Sequence, residues 1–78
     1  MDNEFNKIKE DVRLELSNFL GVETGDIEED SILTEDLHMK ASDLGDFMAI
    51  LTRMGLETNK VDLAGIETFL DLIEALNE

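Results

Sequence analysis

Cysteine, proline, tryptophan and tyrosine are all missing from this 78-residue chain, histidine occurs once, at His38, and six basic side chains stand against twenty acidic ones. Each shortage removes a class of function. Without cysteine there is no disulfide framework, no thiolate zinc site and no thiol nucleophile. A single histidine is too few for the usual metal or triad chemistry. No apolar stretch approaches the roughly 20 residues needed to cross a bilayer. The opening residues, Met1-Asp2-Asn3-Glu4, lack the basic flank of a signal peptide. The expectation is a soluble, intracellular, cytoplasmic protein forming one domain over residues 1–78. A chain of this size buries only about 60% of the surface that its unfolded form exposes, which leaves no spare core for a large catalytic pocket. It is therefore not expected to be an enzyme.

The net charge of −14 selects partners by exclusion. Nucleic acid phosphates and anionic lipid heads are bound through Lys and Arg that displace counterions, and only four Lys and two Arg are present. Nucleic acid and membrane insertion are thus set aside. Basic protein surfaces are the natural complement, with attraction that speeds encounter and weakens in salt. The charge alone is equally served by a solubilising surface.

What is present reads as helices. Phe5, Ile8, Val12, Leu16 and Phe19 recur at steps of three and four, with Leu20 closing the stripe and Gly21 ending it, and Asn6, Lys9, Glu10, Arg13 and Ser17 are assigned to the opposite, solvent side. From Val22 to Lys40 the apolar spacing is irregular, which predicts a long ordered loop pinned by Val22, Ile27, Ile32, Leu33 and Leu37, with a short helical turn at Glu35 to Leu37. Loops of such length in compact domains tend to be functional. Leu44, Phe47, Met48, Leu51 and Met54, beside Ile50, mark a second helix ended by Gly55. Ser42 is placed just before it as a cap, with Asp43 and Asp46 in its first turn where the helix dipole favours acids. Gly45 inside that turn costs about 1 kcal/mol relative to Ala, so either something approaches closely there or the turn is frayed. Val61 to Gly65 supplies one short helical turn. Ile66, Phe69, Leu70, Ile73 and Leu76, widened by Leu72, stripe a last helix that starts near Glu67 or Thr68. With no alternating strand pattern, the fold class is all-α: a bundle of three longer helices and one short one, with a long loop between the first two.

Individual candidates for chemistry are weak. His38 stands near Glu35 and Asp36 but has no second histidine to complete a metal site. Glu28-Glu29-Asp30 lacks the alternating oxygen ligands and central Gly of a calcium loop and reads as a solvated charge run. Paired carboxylates for acid–base work need a cleft that raises one pKa, and nothing in the sequence provides one.

The order of the whole chain carries more. A long first helix ending in Leu20-Gly21-Val22, a long acidic loop with Asp30-Ser31-Ile32-Leu33 and Glu35-Asp36-Leu37, a serine at the mouth of an acidic second helix, a brief third helix, and a fourth entered through Ile66-Glu67-Thr68-Phe69-Leu70-Asp71-Leu72-Ile73 together resemble the acyl carrier protein family over roughly residues 4 to 77. The resemblance implies a bundle of three long helices and one short. It also implies a serine at the start of the second helix esterified by 4′-phosphopantetheine from coenzyme A, whose thiol carries acyl chains as thioesters for fatty acid, polyketide or specialised lipid synthesis. On this chain the attachment residue would be Ser42, with Asp43, Asp46 and Met48 as partner-docking surface and the bundle interior as a shelter for the acyl chain. The partners implied are a phosphopantetheinyl transferase and acyl-processing enzymes with basic docking patches, and the carrier is a monomer that catalyses nothing itself.

The attachment motif departs from the family's Asp-Ser-Leu: the chain reads Met39-Lys40-Ala41-Ser42-Asp43-Leu44. Counting without gaps from Glu35-Asp36-Leu37 puts Ala41 on the modified position, and Ser42 takes that role only with one residue inserted between Leu37 and Ser42. Three readings stay open at this point: a modified Ser42, a plain helix cap, or an acyl-carrier-like protein-interaction module that has lost its prosthetic group. Lys40 and Arg53 also add positive charge along the second helix, and Arg53 has Glu57 one turn on as a possible ion-pair partner. Self-repulsion at −14 predicts that the melting temperature rises as salt is raised from about 10 to about 200 mM. Indifference to salt in a thermal melt would argue against the acids clustering on the face of the second helix.

Overall fold

The structure is a computed structural model that describes residues 3–77. Three α-helices, α1 (Asn3–Leu20), α2 (Ala41–Arg53) and α3 (Phe69–Leu76), are joined by irregular connections that contain 3-10 turns at Thr24–Asp26 and Leu63–Gly65. The fold is all-α as the apolar spacing predicts. Among the described residues the only extended pairing is an isolated antiparallel bridge between Ile32 and Thr68.

α1 is the central element and packs against α3, α2 and the turn at Thr24–Asp26. Its apolar stripe forms as expected, with Val12 and Leu16 fully buried and Phe5, Ile8, Phe19 and Leu20 half-buried against the same core. The assignment of Lys9, Arg13 and Ser17 to the solvent side is corrected. Because chain packs on more than one side of α1, Arg13 stretches over the Phe69 ring, 5.6 Å from its centre, and Lys9 reaches Glu29 at 2.6 Å. Ser17 is buried at 5% exposure because its hydroxyl donates to the Leu14 carbonyl at 2.7 Å and leaves no donor stranded. Leu14, one residue outside the stripe, is the exposed apolar residue instead.

Glycines end the first two helices. Gly21 (φ 74°) and Gly55 (φ 94°) both adopt the left-handed backbone that a side chain disfavours. At Gly55 the geometry is a complete helix-ending motif: the Gly55 N–H donates to the Thr52 carbonyl and the Leu56 N–H to the Leu51 carbonyl. Met54, expected in the α2 stripe, falls on this cap and is 39% exposed.

The connection from Val22 to Lys40 is ordered, as expected, but its anchors differ. Ile27, Leu33 and Met39 are buried at 2% exposure each, Ile32 and Leu37 are half-buried, and Val22 is exposed. The turn expected at Glu35 to Leu37 begins earlier: the Asp36 and Leu37 N–H groups donate to the Ile32 carbonyl, and the Asp36 carboxylate accepts the Ile32 N–H at 2.8 Å. It is a hydrogen-bonded turn and not a helix.

α3 is shorter than its apolar stripe, because Ile66 lies before the helix and Thr68 caps it. The N–H groups of Thr68, Phe69, Leu70 and Asp71 precede the first i→i−4 bond and have no carbonyl partner inside the helix, and each is satisfied from a definable source, Thr68 by the Asp71 carboxylate. Phe69 and Leu70 donate to the carbonyls of Ser31 and Glu29, both at 2.9 Å, and Asp71 donates to the Thr68 hydroxyl at 3.1 Å; the regular helix ladder begins with Leu72 donating to the Thr68 carbonyl. In the other direction Leu33 donates to the Glu67 carbonyl at 2.9 Å. The loop and the start of α3 are thus stitched together by main-chain bonds in both directions. Phe69, Leu72, Ile73 and Leu76 then bury against Val12, Leu16, Phe47 and Leu51 in one core.

The Asp71 carboxylate accepts the N–H groups of Thr68 (3.1 Å) and Glu67 (3.2 Å), and these backbone bonds, Thr68 first, hold its pKa below the usual 3.8. A group whose folded pKa is depressed stabilises the fold fully above its unfolded pKa and loses that contribution as pH falls through the folded value. The stability difference between the native protein and Asp71→Asn is therefore expected to be constant above about pH 5 and to narrow below about pH 4. Urea unfolding of both proteins across that range checks it, and a gap independent of pH would contradict the assigned role.

Candidate functional site

The candidate site lies at the start of α2. His38 takes the left-handed conformation (φ 59°), an uncommon choice for a residue with a side chain. It reverses the chain so that the Met39 side chain enters the core while its N–H donates to the Leu33 carbonyl at 2.9 Å. Lys40 follows as the capping residue, and α2 begins at Ala41. Ser42 therefore sits inside the first turn of the helix, at its second position, and the reading of Ser42 as the cap is corrected. The capping work is done by Asp43, whose carboxylate accepts the Lys40 N–H at 3.0 Å. An acid three residues after the residue preceding a helix is the sequence signal for this arrangement.

Ala41 and Ser42 are both exposed, so both positions of the ambiguous register face solvent. Among the described residues the Ser42 hydroxyl accepts or donates no hydrogen bond. It lies beside the positive end of the α2 dipole and two residues from the Lys40 ammonium, a setting that favours a negatively charged substituent.

Of the docking residues expected on α2, Asp43 and Asp46 lie one turn apart on neighbouring positions of one face, and Met48 is turned away from them. Asp43 is half-buried and committed to the Lys40 N–H, while Asp46 is exposed. Met48 is half-buried against the core. Residues two apart on an α-helix point about 160° away from each other, so Asp46 and Met48 lie on opposite sides of α2. The helix is also not acidic: from Lys40 to Arg53 its charged residues are Lys40, Asp43, Asp46 and Arg53, two of each sign. The negative charge is concentrated in the preceding connection, where Glu23, Asp26, Glu28, Glu29, Asp30, Glu35 and Asp36 occur with no Lys or Arg from Gly21 to Met39.

Arg53 does not pair with Glu57. The Glu57 carboxylate lies 4.0 Å from the Lys60 ammonium instead. Thr52 donates its hydroxyl to the Met48 carbonyl at 3.0 Å and shares a 2.7 Å bond with the Thr58 hydroxyl, which ties the end of α2 to the following connection.

Neither of two clefts on the surface of the described residues borders Ser42. One of about 330 Å³ lies between α1 and the end of α2, lined by Glu4, Lys7, Ile8, Asp11, Met54 and Leu56. The other is an open groove lined by Glu28, Glu29, Asp30, Thr68 and Leu70. At its edge the Glu29 pKa is lowered, chiefly by the hydrogen bond from Lys9. Among the described residues no three His, Cys, Asp or Glu side chains gather as metal ligands, and Asp36, beside His38, is engaged with the Ile32 N–H. No described helix is long and apolar enough to cross a membrane.

No protein-family model and no curated protein matches the chain.

Gly45 lies within α2, and the alternative of a frayed first turn does not hold because the helix is regular from Ala41 to Arg53. A Cβ placed there meets nothing within 4 Å. The protein's own packing does not require the glycine, so Gly45→Ala is expected to stabilise the fold by about 1 kcal/mol. A rise in the urea midpoint checks this; a fall would reveal a steric demand that the folded chain does not display.

Proposed function

We propose that the chain is an acyl-carrier-like protein that carries acyl groups as thioesters on a 4′-phosphopantetheine attached to Ser42. The observation that carries this reading is the free, exposed Ser42 hydroxyl in the first turn of α2, flanked by Lys40 and by the positive end of the helix. A phosphodiester formed on Ser42 Oγ would gain from both. The order of elements supports it in outline: a long first helix, a long ordered connection, a second helix and a last helix follow in the expected succession, while the expected short third helix is a 3-10 turn at Leu63–Gly65 and the last helix has only eight residues. When bound, the prosthetic group would supply the thiol that this cysteine-free chain lacks. The chain's own part is to present the serine on a rigid helix end and to offer basic enzymes an acidic surface. It catalyses no step itself.

A second reading is favoured by one specific observation, the ungapped register that puts Ala41 on the attachment position. Ala41 is the first residue of α2 and carries no nucleophile. On that reading the chain is an interaction module of the same architecture without a prosthetic group.

Intact mass after incubation with coenzyme A, Mg²⁺ and a broad-specificity phosphopantetheinyl transferase separates the two. The carrier reading expects the gain of one phosphopantetheine, absent from Ser42→Ala. No gain with several transferases would abandon it for the interaction module. In that case Ala41→Ser, restoring the family's residue at the ungapped position, is expected to accept the group.

A further inference from the structure

The largest charge imbalance of the chain and one of its surface grooves coincide, away from Ser42. The groove is floored by Leu70, which is half-buried at the second position of α3, with Thr68 beside it, and it is rimmed by Glu28, Glu29 and Asp30. Main-chain bonds hold the rim against the floor: the Leu70 N–H donates to the Glu29 carbonyl and the Phe69 N–H to the Ser31 carbonyl, both at 2.9 Å. The Ser31 hydroxyl accepts the Glu28 N–H, also at 2.9 Å. The groove is therefore preformed, and a partner that enters it does not have to order the loop.

The three rim carboxylates differ in availability. Glu29 is held by the Lys9 ammonium at 2.6 Å. Glu28 and Asp30 are exposed, and their carboxylates accept no hydrogen bond among the described residues. Two carboxylates without hydrogen-bond partners among the described residues, over an apolar floor and inside a connection that has seven acids and no Lys or Arg, complement a protein segment with an apolar side chain between lysines or arginines. The groove, about 510 Å³ in volume, is broadly open to solvent, so it covers one side of what enters it and does not surround it. A flat protein surface with one projecting apolar residue fits it.

We propose that this groove, and not the outward face of α2, is where the chain docks basic protein partners. The inference deepens the partner part of the reading above, but it stands whether or not Ser42 is modified. The apolar anchor fixes register in the groove, while the surrounding field of the loop brings the partner in.

The test is a titration of the ¹⁵N-labelled full chain, unmodified and carrying Ser42→Ala, so that its outcome does not depend on loading. The probe is a short synthetic peptide with one leucine flanked on both sides by lysines, at about 0.15 M salt. Saturable amide shifts are expected at residues 28–31 and 68–70. The double variant Glu28→Gln, Asp30→Asn removes two carboxylates that hold nothing in the fold, and it is expected to weaken binding about five- to tenfold. Asp46→Asn is expected to leave it unchanged. Replacing the peptide's leucine by serine is expected to abolish saturation. Shifts centred on residues 40–53, equal binding of the leucine and serine peptides, or no saturable binding would each overturn the proposal.

Discussion

Eight residues of helix do not hold together alone in water, because the first turn costs more than its single hydrogen bond returns. α3 forms because the chain that precedes it by some forty residues supplies what the helix lacks. The carbonyls of Glu29 and Ser31 take the first two N–H groups of α3, and Thr68 supplies the next two acceptors. This exchange also gives the acidic connection its shape, since Leu33 donates back to Glu67 and Ile32 pairs with Thr68. Everything else follows from that stitch. It turns Phe69 and Ile73 into the core beside Val12 and Leu16, brings Arg13 over the Phe69 ring, and leaves the carboxylates of Glu28 and Asp30 in solvent above Leu70.

The helices were legible in the sequence because a one-sided apolar stripe has a period, and Val12, Leu16, Phe47, Leu51, Phe69 and Ile73 all bury where that period puts them. Glycine signals were equally readable at Gly21 and Gly55. The connection was not, because its anchors follow hydrogen-bonded turns and no repeat. Met39, a single apolar residue among polar ones, becomes core only through the left-handed turn at His38, and Val22 loses its expected place because the chain leaves α1 pointing outward. Ser17 and Arg13 defeated the polar-is-outside rule for a related reason: packing on more than one side of α1 covers them, and a hydroxyl bonded to its own helix or a guanidinium lying on an aromatic ring tolerates being covered.

At the start of α2 the sequence placed the right residues within two positions. It could not decide the start of the helix, because Ser42 and Asp43 are both good capping residues and only the geometry shows Asp43 accepting the Lys40 N–H. The separation of Met48 from Asp43 and Asp46 around α2 was available from helical geometry alone. The neutrality of α2 beside the acidity of its preceding loop was available from the residue order. What no reading of the residues provided was the groove, since Leu70 meets Glu28 and Asp30 only when segments distant in the chain are joined.

The stitch has a consequence for how this protein can change over time. α2 is enclosed between two segments that fix one another, and it is held from beneath by Leu44, Phe47, Leu51 and the Met39 that precedes it. Its outward residues, Ser42, Gly45, Asp46 and Ala49, contribute nothing to that hold. Substitutions there are almost free of penalty to the fold, so the outer face of α2 can drift, lose a chemical group or acquire one, while the architecture that presents it is inherited intact.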